Sequence, residues 1–161
     1  MNNMKLDEKI KESLLFLENS FKELASKRKI NDSFIVYTGS SDKKSFNVIS
    51  VDIGEFGPSE RLTLSERLKK RIKDEGMKPL YTVYVSEAVA APYDKSKQDA
   101  GLSQAIDVLV FSVRDKRGRE LFNVYKISKN RKLELMENIS FHWYETEAKG
   151  DDISPNSLFW E

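Results

Sequence analysis

One run of the sequence, Ile106-Asp107-Val108-Leu109-Val110-Phe111, constrains the fold more than any other. The side chains of a β-strand alternate between the two faces of its sheet, and this run is apolar at both sets of positions except at Asp107. A strand of this kind needs cover on both faces. The sequence therefore predicts a sheet with other elements packed above and below a central strand.

Two segments are predicted to be the helices that supply this cover. Within residues 5–29, apolar side chains recur at spacings of three and four and form one stripe, which comprises Leu6, Ile10, Leu14, Leu17, Phe21 and Leu24. A second helix is predicted over about Leu64–Glu75. Thr63 and Glu66 match a capping box at its start, and Gly76 suits a left-handed cap at its end.

Six segments rich in β-branched and aromatic residues predict strands, at Ser33–Thr38, Phe46–Ile53, Leu80–Val89, Ala105–Val113, Leu121–Ile127 and Leu133–Glu145. The order is α-β-β-α-β-β-β-β, which predicts an α+β domain with helices packed on a largely antiparallel, mixed sheet. Only the strand-helix-strand step between residues 46 and 89 can form a parallel pair. We assign residues 1–148 to this single domain and residues 149–161 to a polar tail with an aromatic end.

Composition excludes several kinds of site. The 161 residues include one His and no Cys, so a disulfide framework, a thiol nucleophile and a multi-histidine zinc site are excluded. Neither glycine-rich phosphate-binding motif occurs, and we expect no cofactor and no metal. No apolar run approaches the ~18 residues of a membrane span, and the first residues lack the apolar stretch of a secretory signal. We therefore expect a cytoplasmic protein without membrane contact.

Two residues are the candidates for catalysis. Glu87 alternates with two valines on its strand and precedes a long loop, residues 90–103, so a core position would suit it to general acid-base chemistry. The alternative is that Glu87 is solvated or paired with a lysine. His142 is the only side chain with an unperturbed pKa near neutrality, and its strand face is half-polar. An enzyme would use Glu87 with His142 or with loop residues such as Asp94 and Lys95.

Local charge is more distinctive than any catalytic motif. Residues 114–132 carry eight basic and two acidic side chains, a net charge of +6. Residues 133–161 carry seven acidic and one basic side chain, a net charge of −6. Either the basic segment contacts nucleic-acid phosphates, or the two segments meet each other within or between subunits, or both are simply solvated; the last two alternatives are favoured.

Arg117 and Arg119 are the residues that would carry nucleic-acid binding. Proteins that bind single strands usually combine basic and aromatic side chains on one sheet face, whereas Phe122 and Tyr125 fall on opposite faces of their strand. We therefore expect the partner to be a protein and not a nucleic acid.

Three aromatic side chains are further candidates for binding. Phe16 lies off the apolar stripe of the first helix, so it either packs against another element or lies on an interaction surface. Phe159 and Trp160 follow a polar stretch, and ordering them costs conformational entropy. We expect them to dock on this chain or on a second copy, with recruitment of another protein as the alternative.

The strand Tyr84-Val85-Ser86-Glu87-Ala88 and the later Arg-Asp-Lys-Arg-Gly turn resemble a motif of small uncharacterised bacterial and phage α+β domains. In those domains the Val-Ser-Glu-Ala strand is often followed by Trp, where this chain has Val89. The resemblance spans about residues 80–128. It implies a bacterial or phage origin and no known activity.

These observations predict a non-catalytic binding or accessory module that acts through contacts with a protein partner or with a second copy, as a homodimer. The first alternative is an enzyme of unknown reaction near Glu87 and the loop 90–103. The second is weak nucleic-acid binding through residues 114–132.

Overall fold

The computed structural model describes residues 6–40, 42, 44–92, 106–136, 141–144 and 155–160. Its elements are α1 (Leu6–Lys27), β1 (Ser33–Gly39), β2 (Phe46–Asp52), α2 (Pro58–Asp74), β3 (Lys78–Pro92), β4 (Ile106–Asp115), β5 (Glu120–Ile127), β6 (Leu133–Leu135), β7 (Phe141–Tyr144) and α3 (Pro155–Trp160). This order confirms the predicted α+β class. The strand predicted over Leu133–Glu145 corresponds to β6 and β7, and residues 137–140 lie outside the described ranges.

The strands form one sheet with the neighbour order β2-β1-β3-β4-β5-β6, and β7 pairs with the end of β3. Every described strand pair is antiparallel. The step that could have formed a parallel pair does not, because β1 lies between β2 and β3. β4 is central, with ten residues paired to β3 and eight paired to β5.

The sheet is covered on both faces, as the sequence of β4 predicts. Alternation places Leu109 and Phe111 on one face, where they pack with α1. The opposite face is covered around β1, where Phe34 and Val36 pack with α2 and α3. On that same face Val108 belongs to a smaller apolar cluster of its own. The whole run from Val108 to Phe111 is buried.

The start of α2 differs from the prediction. Gly57 is its N-cap and Pro58 begins the helix, where the missing proline N–H would have had no helical partner. Thr63 therefore lies inside the helix, and its hydroxyl donates to the carbonyl of Ser59 at 2.9 Å instead of capping the first turn. The predicted end is confirmed, since Gly76 follows the helix with a φ of +70°.

The short helix α3 packs on the chain's own sheet. Phe159 is only 2% exposed, and its ring centroid lies 5.8 Å from that of Phe34 on β1. Trp160 Nε1 donates to Thr82 Oγ1 on β3 at 2.8 Å. The two aromatic residues thus dock within the chain, which is one of the destinations expected for them. The boundary at residue 149 stays a prediction, because residues 145–154 lie outside the described ranges.

Candidate functional site

Glu87 is a residue of β3, and its side chain lies next to the C-terminal end of α1, where it links the helix to the sheet. Its side chain is 8% exposed, and Oε1 accepts hydrogen bonds from the Ile30 N–H at 3.1 Å and from the Arg131 guanidinium. Arg131 also donates to the carbonyls of Ala25 at 2.6 Å and Arg28 at 3.0 Å. These carbonyls lie at the C-terminal end of α1, where backbone carbonyls have no N–H partner within the helix. The pair therefore closes the helix, and Glu87 is paired with an arginine, whereas the alternative given for it was solvation or pairing with a lysine.

The other candidates for catalysis are not joined to Glu87 by any described contact. The backbone of His142 pairs with Ala91, four positions along β3 from Glu87, which places the two positions about 13 Å apart along the strand. Asp94 and Lys95 lie outside the described residues. The catalytic group that the sequence suggested therefore stays a prediction, because part of it lies outside the described residues.

Asp32, which no sequence motif indicated, organises a second polar cluster on the opposite face of the sheet. Its carboxylate accepts hydrogen bonds from the Tyr84 hydroxyl at 2.6 Å, the Ser86 hydroxyl at 2.8 Å and Arg61 Nη2 at 3.4 Å. Burial, reinforced by the Asp32 carboxylate, raises the pKa of Tyr84 to about 12. The three donors come from β3 and α2, so Asp32 links both elements to the start of β1.

The turn between β4 and β5 is built on Asp115. Its carboxylate accepts hydrogen bonds from the Arg117 N–H at 2.9 Å, the Arg119 N–H at 3.0 Å and Arg119 Nε at 2.6 Å. Burial acts to raise the pKa of the Asp115 carboxyl, but these hydrogen bonds outweigh it and hold the pKa below its usual value. We call the exposed side chains of Lys116, Arg117 and Arg119 the basic turn. A cavity of about 300 Å³ separates it from the first turn of α1.

A second cavity, of about 230 Å³, lies between α1 and strands β3, β4 and β5, and we call it the α1–β5 groove. Its lining residues are Lys11, Leu14, Leu15, Leu17, Glu18, Val83, Phe111, Val113, Leu121 and Asn123. Leu15 on α1 and Leu121 on β5 are 58% and 74% exposed. Glu18 accepts a hydrogen bond from Asn123 Nδ2 at 3.1 Å and another from the Tyr125 hydroxyl, which bridges helix and strand. The groove is thus largely apolar and carries an exposed leucine on each of these two elements.

The predicted binding residues occupy different parts of the molecule. Phe16 follows Leu15 on α1 and is 75% exposed, while Arg117 and Arg119 stand in the basic turn. Phe159 and Trp160 pack against the opposite face of the sheet. Leu15 was missed although it also lies off the predicted apolar stripe. That position next to Phe16 is the signal that could have indicated it.

Comparisons with known protein families, with curated proteins and with solved structures give no match. Among the described residues, no group of three or more His, Cys, Asp or Glu side chains is placed to hold a metal ion. No helix in the described ranges is long and apolar enough to cross a membrane. The α1–β5 groove is the strongest candidate for a functional site in the described part of the chain.

Proposed function

We propose that the protein is a non-catalytic binding module that takes an apolar side chain of a partner protein into the α1–β5 groove. The observation that carries this proposal is the exposure of Leu15 and Leu121 on a groove that is already apolar. Single exposed leucines are normal, but grouped around a groove they form the kind of surface that partners cover. Burying a leucine side chain contributes about 1.5–3 kcal/mol, so a partner gains from covering both.

The size of the groove is that of a single side chain. The groove encloses about 230 Å³, which suits one large apolar side chain. Interfaces between proteins commonly concentrate their binding energy in such an anchor, an aromatic residue in a desolvated pocket.

Beside the groove, the described residues pair with only part of the outer edge of β5. β6 pairs with Tyr125–Ile127, and the Met136 N–H donates to the Val124 carbonyl at 2.8 Å. No residue in the described ranges pairs with the outer edge of Glu120–Asn123. An extended partner segment that hydrogen-bonds to this edge would carry its alternate side chains over Leu121 and into the groove.

The polar clusters support a non-catalytic role. Glu87 accepts hydrogen bonds from Arg131 and the Ile30 N–H, and Asp32 accepts three from side chains. In the part of the chain that the structure describes, both of these carboxylates hold secondary-structure elements together, which is a structural role.

Selection of binders from a random linear peptide library displayed on phage tests the proposal. We expect peptides that bind the unmodified protein, and Leu121→Asp should weaken them by about 10- to 100-fold, the equivalent of one buried leucine. Leu62→Asp is the matched control, because Leu62 is also exposed but lies on α2, across the sheet. Far-ultraviolet circular dichroism checks that both variants fold. Peptides that bind the Leu121→Asp variant as well as the unmodified protein would contradict the proposal.

A further inference from the structure

We infer that the partner segment is acidic as well as apolar: its carboxylates pair with the basic turn while its large apolar side chain fills the α1–β5 groove. This inference rests on the proposed function and names the chemistry of the partner. It follows from the position of the basic turn, from its available charges and from the charge of the surrounding surface.

The basic turn adjoins one end of the groove. Val113 lines the groove, and Asp115, two residues further along β4, lines the cavity beneath the basic turn. On α1, Lys11 lines the groove, and Asp7, one helical turn before it, lines the cavity beneath the basic turn. An extended segment advances about 3.3 Å per residue with alternate side chains on one face. An acidic residue two positions from the apolar anchor therefore reaches the basic turn.

The charges of the basic turn are available to a ligand. Arg119 uses Nε to bind Asp115, but its guanidinium stays exposed. Within the described ranges, no carboxylate lies within ion-pair distance of Lys116 or Arg117. Asp115 forms an ion pair with Arg119, so these two charges offset each other, and Asp7 adds a further carboxylate to the lining of the same cavity. Lys116 and Arg117 are thus the two cations of the turn that have no ion-pair partner among the described residues, and they are the ones offered to an acidic side chain.

The surrounding charge disfavours a second copy as the occupant. Residues 114–132, which include the basic turn and β5, carry a net charge of +6. A two-fold interface uses the same patch on both subunits, so it would bring two such segments together. Like charges placed across an interface oppose binding, whereas an acidic partner is attracted.

The aromatic residues of β5 disfavour nucleic acid as the occupant. Stacking of bases requires exposed aromatic rings on the same face as the cations. The pairing of β5 with β4 places Phe122 and Tyr125 on opposite faces. Tyr125 is buried beneath the ammonium group of Lys22, 4.5 Å from its ring centroid. The apolar groove therefore has the chemistry of a protein-binding site.

The test uses three pools of fluorescently labelled octapeptides, measured by anisotropy against the full chain. The acidic pool has a central Trp among Asp, Glu, Ser, Thr and Gly; the basic pool replaces the acids by Lys and Arg; the third is the acidic pool with Ala for Trp. The variants are Leu121→Asp, the double reversal Lys116→Glu with Arg117→Glu, and the matched reversal Lys70→Glu with Lys73→Glu on the exposed surface of α2.

We expect the acidic Trp pool to bind most tightly and to lose about tenfold in affinity with the Lys116/Arg117 reversal. The Lys70/Lys73 reversal should leave that affinity unchanged, and added salt should weaken it. The Ala pool should bind weakly because it lacks the apolar side chain. The Leu121→Asp variant should bind the acidic Trp pool weakly because it removes a leucine from the groove and adds a carboxylate that repels the peptides.

Other outcomes separate the two proposals. If the acidic and basic Trp pools bind equally and only Leu121→Asp weakens them, the acidic partner is wrong and the proposed function stands. If no pool binds in a manner that depends on Leu121, the proposed function fails as well. A dimer in sedimentation that Leu121→Asp dissociates would identify a second copy as the occupant. A single-stranded oligonucleotide that binds in place of the peptides, sensitive to the Lys116/Arg117 reversal alone, would identify nucleic acid.

Discussion

Truncating Phe159 tests whether α3 belongs to the cooperative core of the protein. The ring is almost fully buried, and its centroid lies 5.8 Å from that of Phe34 and 5.3 Å from that of Trp160. Replacing a core phenylalanine by alanine costs about 3–5 kcal/mol, which includes the cavity that it leaves. Domains of ordinary stability unfold with about 5–15 kcal/mol. We therefore expect Phe159→Ala to lower the free energy of unfolding by about 3–5 kcal/mol, a large share of the total.

Urea unfolding followed by far-ultraviolet circular dichroism measures this change. The matched control is Phe16→Ala, which removes the same ring from a site that is 75% exposed and should change stability by no more than about 0.5 kcal/mol. A loss below about 1 kcal/mol for Phe159→Ala would refute the reasoning. It would mean that α3 detaches from the sheet without unfolding it, as expected of a tail.

Two further predictions concern the polar clusters. Glu87→Ala leaves the Arg131 guanidinium without its carboxylate and the Ile30 N–H without its acceptor, so urea unfolding should show a loss of about 3 kcal/mol. Glu87→Gln keeps an acceptor and should lower the free energy of unfolding by less. An unchanged urea midpoint for both variants would show that the contacts of Glu87 contribute nothing to stability. The pKa of Tyr84 is about 12 in the folded chain and 10.0 without the fold. Above pH 10 the phenol therefore stays protonated in the folded chain but loses its proton in the unfolded chain. Stability should be fully retained below pH 10 and fall by about 1.3 kcal/mol by pH 11, and Tyr84→Phe should remove this part of the fall.

The alternation and periodicity of the sequence predicted the fold class and the central strand because both depend on short-range spacing. β4 is buried at successive positions from Val108 to Phe111, as its composition requires. The start of α2 was predicted wrongly because Gly57 and Pro58 are common in loops and equally suited to the first positions of a helix. A local pattern cannot distinguish these two uses without the packing that follows.

The contacts of the candidate site could not be predicted, because they join distant parts of the chain. Arg131 reaches Ala25 across 106 residues, and no spacing rule applies at that separation. Leu121 shares a strand face with the buried Tyr125, yet it is 74% exposed. Its exposure depends on how much of β5 the helix α1 covers, which is set by packing and not by the sequence around Leu121.

Because α3 packs on β1, the core around β1 is completed only late in the synthesis of the chain. Phe34 and Phe159 are 125 positions apart, so at about 5–20 residues per second a ribosome needs roughly 6–25 seconds to proceed from one to the other. Until then the face of β1 around Phe34 and Val36 lacks one of the two helices that bury it. Nascent chains therefore pass through a stage in which an apolar sheet face is open to chaperones or to other nascent chains, and a product cut short before residue 155 never leaves it.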